Sequence, residues 1–192
     1  AASLGGGVMS IACLLVPSLA LACELAERPE LASRPVALAD EAGVRVAELT
    51  SAARERGVRP GMTLREAAAY CPAIAVLEPR PARVARFAAT LVEAAGAISP
   101  LVEAAALGEV YADLRGLERL YPAPGALEQA LAEAAPPQLR ARVGIAEERF
   151  SAYAAARHAS AGTTRRLAPG ESEGFLASLP AAWLPLDPEA LE

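Results

Sequence analysis

The stretch Val102-Glu103-Ala104-Ala105-Ala106-Leu107-Gly108-Glu109-Val110-Tyr111-Ala112-Asp113-Leu114 decides how this chain is read. Two runs of strand character meet at Leu107-Gly108, and glycine supplies the backbone freedom a tight hairpin turn selects for. The segment predicts a β-hairpin with Glu109 at the start of its second strand. Asp113 falls on the same face of that strand but about 13 Å further along, at roughly 3.3 Å per residue. The two carboxylates therefore cannot serve one centre.

Outward from the hairpin, apolar period and breakers alternate between strand and helix. Before it, apolar residues at 84, 87, 88, 91, 92 and 95 predict an amphipathic helix over 82–98, broken at Ser99-Pro100. After it come a helix over 126–134, a strand over 142–146 and a helix over 149–159. The run Ser10 to Val16 predicts the first strand, ended by Pro17, with Ser18 capping a helix to Glu27. Strands at 35–39, 44–49 and 73–77 and short helices at 51–56 and 63–70 form a small insertion. Without it the order is strand, helix, hairpin, helix, strand. That order predicts an α/β (α+β) fold, a ferredoxin-like split βαβ sheet backed by helices and carrying a small α/β insertion.

Composition narrows the function classes. The 192 residues are 54% hydrophobic, long enough for one sizeable core or two small domains sharing one. The formal charge of -5 argues against coating nucleic acid with the whole surface. Two basic islands stand out: residues 54–86 carry seven arginines against three glutamates, and 140–166 six against two. Solvated helix faces and phosphate-contacting surfaces are both open readings of them. Cys13, Cys23 and Cys71 form no CxxC and the lone His158 has no ligand companion, so they read as small buried hydrophobes in a reducing cytosol. The apolar run 11–23 lacks a preceding basic residue and is interrupted by Pro17, so it reads as neither a signal peptide nor a membrane span.

Four segments carry a resemblance to a known family. They are Leu14 to Glu24; Ala53-Arg54-Glu55-Arg56-Gly57-Val58-Arg59-Pro60-Gly61-Met62; the hairpin; and Val143-Gly144-Ile145-Ala146 with the helix after it. From Met9 to about Pro185 the chain resembles the palm and fingers of Y-family DNA polymerases, the translesion enzymes. Among them it is most similar to the noncatalytic ImuB-type members of bacterial mutagenesis cassettes. The resemblance implies a palm at residues 9–17 and 79–160, fingers at 18–78, and the start of a thumb, cut short, at 161–192. Residues 1–8 read as a cloning scar before a native start at Met9.

Mapped residue by residue, the family's first metal-binding aspartate falls on Leu15, the second position of its Asp-x-Asp on Pro17, and its adjacent Asp-Glu pair on Gly108-Glu109. Only Glu109 is retained, whereas nucleotidyl transfer by two divalent metals needs several converging carboxylates. Arg54 matches the family's triphosphate-contacting arginine as a vestigial contact; its tyrosine partner maps to Ser51, the later palm lysine to Tyr153 and the sugar-policing aromatic to Ala20. Local readings stay open beside these: Gly108 as a turn glycine, Glu109 as a solvated strand-end acid, Arg54 as the partner of a nearby glutamate, and Tyr111 and Trp183 as packing residues.

The resemblance thus implies a catalytically inactive homologue, not an enzyme, that holds no metal or cofactor. It would act as an adaptor in damage-induced translesion synthesis within the SOS response. The implied partners are an error-prone replicative-type polymerase, the sliding clamp and a RecA-like cassette protein, in the cytoplasm and away from membranes. Weak, sequence-independent DNA contact through Arg54, Arg59 and Arg149 is expected. Two rivals are a protein-only interaction module and an active polymerase that recruits substitute carboxylates such as Glu103 or Glu24.

Overall fold

The computed structural model describes residues 10–180. The expected scar, the start at Met9 and Trp183 lie outside the described residues. A five-stranded sheet is built from β1 (Ile11–Leu15), β5 (Val102–Ala106), β6 (Glu109–Asp113), β7 (Arg142–Ala146) and β8 (Thr164–Arg166). A smaller sheet holds β2 (Val36–Ala39), β3 (Val46–Leu49) and β4 (Ala75–Leu77). Among the described residues the α-helices are α1 (Leu19–Leu25), α2 (Ser51–Glu55), α3 (Leu64–Tyr70), α4 (Pro81–Gly96), α5 (Ala126–Ala134), α6 (Arg149–His158) and, after the last strand, α7 (Ser172–Ala177).

The large sheet runs in the order β5-β6-β1-β7-β8. β6 and β7 are each antiparallel to β1, and β5 is antiparallel to β6. Strands β1 and β5, joined through α4, therefore have β6 between them, which is the split βαβ arrangement the element order predicts. β8 extends that pattern by pairing parallel to β7.

Alternation along the strands assigns each face of the sheet. Ala12, Leu14, Val110, Ala112, Val143 and Ile145 point to one side, where Val84 and Leu91 of α4 and Leu127 and Leu131 of α5 complete the main core. Each fully buried leucine or valine there contributes on the order of 1.5–3 kcal/mol. Cys13, Leu15 and Tyr111 point to the other side, under α6. That helix is rich in alanine for a geometric reason. A Cβ on Gly144 would lie 2.0 Å from the Ala152 carbonyl oxygen, so the helix backbone rests directly on β7.

Several boundaries differ from expectation. Ser18 occupies the cap position of α1 but has φ 54° and makes no capping hydrogen bond, and the helix ends at Leu25 rather than Glu27. Its free N-terminal donor is met from a distance: the Glu48 carboxylate accepts the Leu21 N–H at 2.7 Å. By contrast Thr63 and Glu66 form a reciprocal capping box on α3. All three cysteines are buried and unpaired, and burial, reinforced by Glu109, pushes the Cys13 thiol up to about 12.

Candidate functional site

The face of the sheet opposite α4 and α5 gathers Leu15, Glu109 and Arg149 of the residues marked by the sequence. Leu15 is the register partner of Glu109 on β6 and of Arg142 on β7. Ala106 flanks Glu109 on its other side. The next rung on the same face is Glu103, Tyr111, Cys13 and Gly144 across four strands. Glu109 thus has an apolar neighbour on each side. Leu15 is 7% exposed, and Pro17 follows at the exposed end of β1.

The carboxylate of Glu109 accepts the Tyr111 hydroxyl at 2.8 Å. Burial, then Cys13 and Glu109, push the Tyr111 phenol upward, so it stays protonated as the donor. Tyr111 is 7% exposed and belongs to the apolar layer under α6. It is a packing residue and a hydrogen-bond donor at once.

The substitute acids are engaged elsewhere. Glu24 is 1% exposed and is forked by Arg80 Nε at 2.9 and 3.1 Å, with Arg28 at 3.4 Å. Glu27 pairs with Arg80 and Arg83, so a charged network bolts α1 to the start of α4. Glu103 accepts a two-pronged contact from Arg149 at 2.7 and 2.9 Å, which holds its carboxyl below the ordinary range. Asp113, at the far end of β6, is forked by Arg115. Among the described residues no three His, Cys, Asp or Glu side chains come together to hold a metal ion. A donor set of Leu15, Pro17, Gly108 and Glu109 offers one carboxylate, so it does not fit a pair of hard divalent cations.

The three arginines singled out by sequence have different surroundings. Arg54 is exposed at the end of α2 and forms no ion pair with a described carboxylate. Arg59 is turned back on its own loop, its Nη1 donating to the carbonyls of Arg54 at 2.8 Å and Val58 at 2.9 Å. Arg149, the first residue of α6, lies over the Tyr111 ring at 4.1 Å while forking onto Glu103. Arg54 in α2 and Arg59 in the loop after it lie beside the small sheet, whereas Arg149 on α6 lies over the large one. Tyr153 stands where the resemblance places a lysine, and its hydroxyl accepts from Arg157 at 3.0 Å.

With this geometry in hand, the comparisons are specific. The sequence profile of the impB/mucB/samB family matches residues 16–157. The chain belongs to that family. It is a Y-family DNA polymerase homologue, consistent with its curated relatives. A DNA polymerase IV of Pelotomaculum thermopropionicum is 34% identical over 99 residues, covering 50% of this chain and 25% of the relative. DNA polymerase IV of Dehalococcoides mccartyi is 29% identical over 163 residues, 82% of this chain and 42% of the relative. That of Caulobacter vibrioides is 27% identical over 182 residues, 93% and 45% respectively. The chain spans less than half the length of these relatives.

Solved structures agree on the fold. An insertion ternary complex of Dbh DNA polymerase superposes with a TM-score of 0.75 at 19% identity, over 92% of this chain and 54% of that one. A DinB family error-prone DNA polymerase from Sulfolobus solfataricus gives 0.73 at 19%, over 92% and 52%. One expectation is overturned by the relatives. The sequence reading makes the chain no enzyme, yet the proteins it matches are named DNA polymerase IV, so the family is one of enzymes. No helix among the described residues is long and apolar enough to cross a membrane.

Proposed function

We propose that this chain forms the palm and fingers of an ImuB-type member of its family and serves as an adaptor in damage-induced translesion synthesis. It would help a separate error-prone polymerase reach the sliding clamp and the lesion, together with a RecA-like cassette partner in the cytoplasm. The observation that carries the reading is the pairing of Leu15 with Glu109. Where the resemblance places two acids across the β1–β6 ladder, an apolar side chain faces a single carboxylate. The other acids weighed for that place are tied to Arg80 and Arg149. Retained DNA contact fits the exposed Arg54 and Arg149, through backbone phosphates and without sequence preference.

The test is primer extension by the full-length protein with magnesium and then manganese, beside a Glu109→Gln variant. No extension in either metal supports the adaptor reading; extension that disappears in Glu109→Gln overturns it. A second reading, a module that binds only protein, is favoured by Leu101 and Leu107, 61% and 59% exposed on either side of the edge strand β5. Affinity for primer–template DNA that falls with rising salt separates the adaptor with DNA contact from that module.

A further inference from the structure

Arg149 is held between one aromatic ring and one carboxylate. Its two terminal nitrogens donate to the two oxygens of Glu103 at 2.7 and 2.9 Å, and its guanidinium lies 4.1 Å from the centre of the Tyr111 ring. The ring is a fixed platform, nearly buried and hydrogen-bonded to Glu109. The helix that carries Arg149 as its first residue is seated on β7 at Gly144, where a side chain would meet the backbone of Ala152 and Ala156. A stacked guanidinium with both prongs on one carboxylate has the geometry with which arginine grips a phosphate.

The carboxylate is a replaceable occupant. The side chains of Arg149 and Glu103 are 47% and 61% exposed, and an ion pair so solvated contributes little net stability. Glu103 stands on an edge strand whose other exposed residues, Ala104, Ala105 and Ala106, carry no charge and no bulk. A cleft of about 280 Å³ beside the pair is lined by Ile11, Val102, Tyr111 and Asp113, the last already neutralised by Arg115.

We propose that Arg149 is a phosphate site whose resident occupant is Glu103, which yields the guanidinium to a backbone phosphate of DNA. The proposal rests on the DNA-contact part of the function proposed above and adds a built-in competitor to it. Glu103 thereby weakens binding and makes it more dependent on local phosphate concentration, because each DNA contact must first displace an internal carboxylate.

The experiment measures binding of a fluorescent primer–template duplex to the full-length protein by anisotropy across a salt series. Glu103→Gln is expected to tighten binding roughly fivefold and to steepen the dependence of log K on log salt by about one unit. Glu103→Gln/Arg149→Gln is expected to lose both changes. Glu148→Gln, which removes the same charge one residue from Arg149, is expected to shift affinity less than about twofold. Equal affinity of Glu103→Gln and the parent would overturn the proposal, as would a gain that survives in the double variant or is matched by Glu148→Gln. If no form binds DNA, the DNA-contact reading fails by itself and inorganic phosphate decides about the site. A rise in Tm with phosphate confined to Glu103→Gln keeps Arg149 as an anion site; no such rise overturns it.

Discussion

Gly108 and Val16 lock the hairpin turn to the end of β1. The Val16 N–H donates to the Gly108 carbonyl at 2.8 Å, and a Cβ on Gly108 would sit 2.6 Å from the Val16 carbonyl oxygen. With φ at +79°, this glycine is required by backbone shape and by lack of space together. Gly108→Ala is therefore expected to destabilise by about 2 kcal/mol or more, from the left-handed conformation alone plus the clash. Urea unfolding measures it. Gly108→Asp, which would put a second acid beside Glu109, carries the same penalty, so a Leu15→Asp/Gly108→Asp variant must first be shown to fold.

Gly144→Ala tests the seating of α6. The new methyl group would meet the Ala152 carbonyl oxygen at 2.0 Å and the Ala156 nitrogen at 2.3 Å, and neither backbone atom can rotate away. The helix would have to lift, at a cost of about 3 kcal/mol or more. Its first residue would rise with it, so loss of the Arg149–Glu103 pair should accompany the fall in stability, visible as a shifted Arg149 side-chain NMR signal.

Glu24→Gln tests the bolt between α1 and α4. The buried carboxylate is the hub for Arg80 and Arg28, whose side chains are each 40% exposed. Removing its charge leaves two half-solvated guanidinium groups, so the expected loss is about 2 kcal/mol, below that for a fully buried pair. A Glu27→Gln change, at a carboxylate 46% exposed, should cost far less in the same denaturation assay.

Acid stability is expected to reflect two opposed groups of carboxylates. Arg83 beside Glu27, the Arg45 and Val44 N–H groups on Asp40, the Thr63 N–H on Glu66, Arg149 beside Glu103 and Arg115 beside Asp113 all hold these carboxyls below their ordinary values. Each stabilises the fold above its unfolded value, 4.5 for glutamate and 3.8 for aspartate, and that contribution is lost as pH falls through the lower folded value. Glu48 runs the other way: burial raises its carboxyl, so its contribution is full below 4.5 and is lost as pH rises through the higher folded value. Glu48→Gln keeps an acceptor for the Leu21 N–H while removing that opposing term. Its urea midpoint should match or exceed that of the parent at pH 7, and that advantage should shrink as pH falls toward 4.5, below which the two profiles run parallel.

Where local pattern suffices, the sequence by itself determined the outcome. Helix α5, set between Gly125 and Pro136-Pro137, and strand β7 begin and end where the sequence places them. The split βαβ order followed from the succession of elements. That Leu15, Pro17 and Gly108 carry no carboxylate beside Glu109 is a matter of residue type, read directly from the chain. Only the tertiary structure decided the rest, because the deciding partner lies far away in sequence. Thr164-Arg165-Arg166 has no strand period of its own and becomes β8 by pairing with β7. The cap of α1 comes from Glu48, 27 residues on, and not from the adjacent Ser18. Arg149 reads as an open cation in the sequence, but register places Glu103 beside Tyr111 and the bare Gly144 brings α6 down onto both, so its charge is already met.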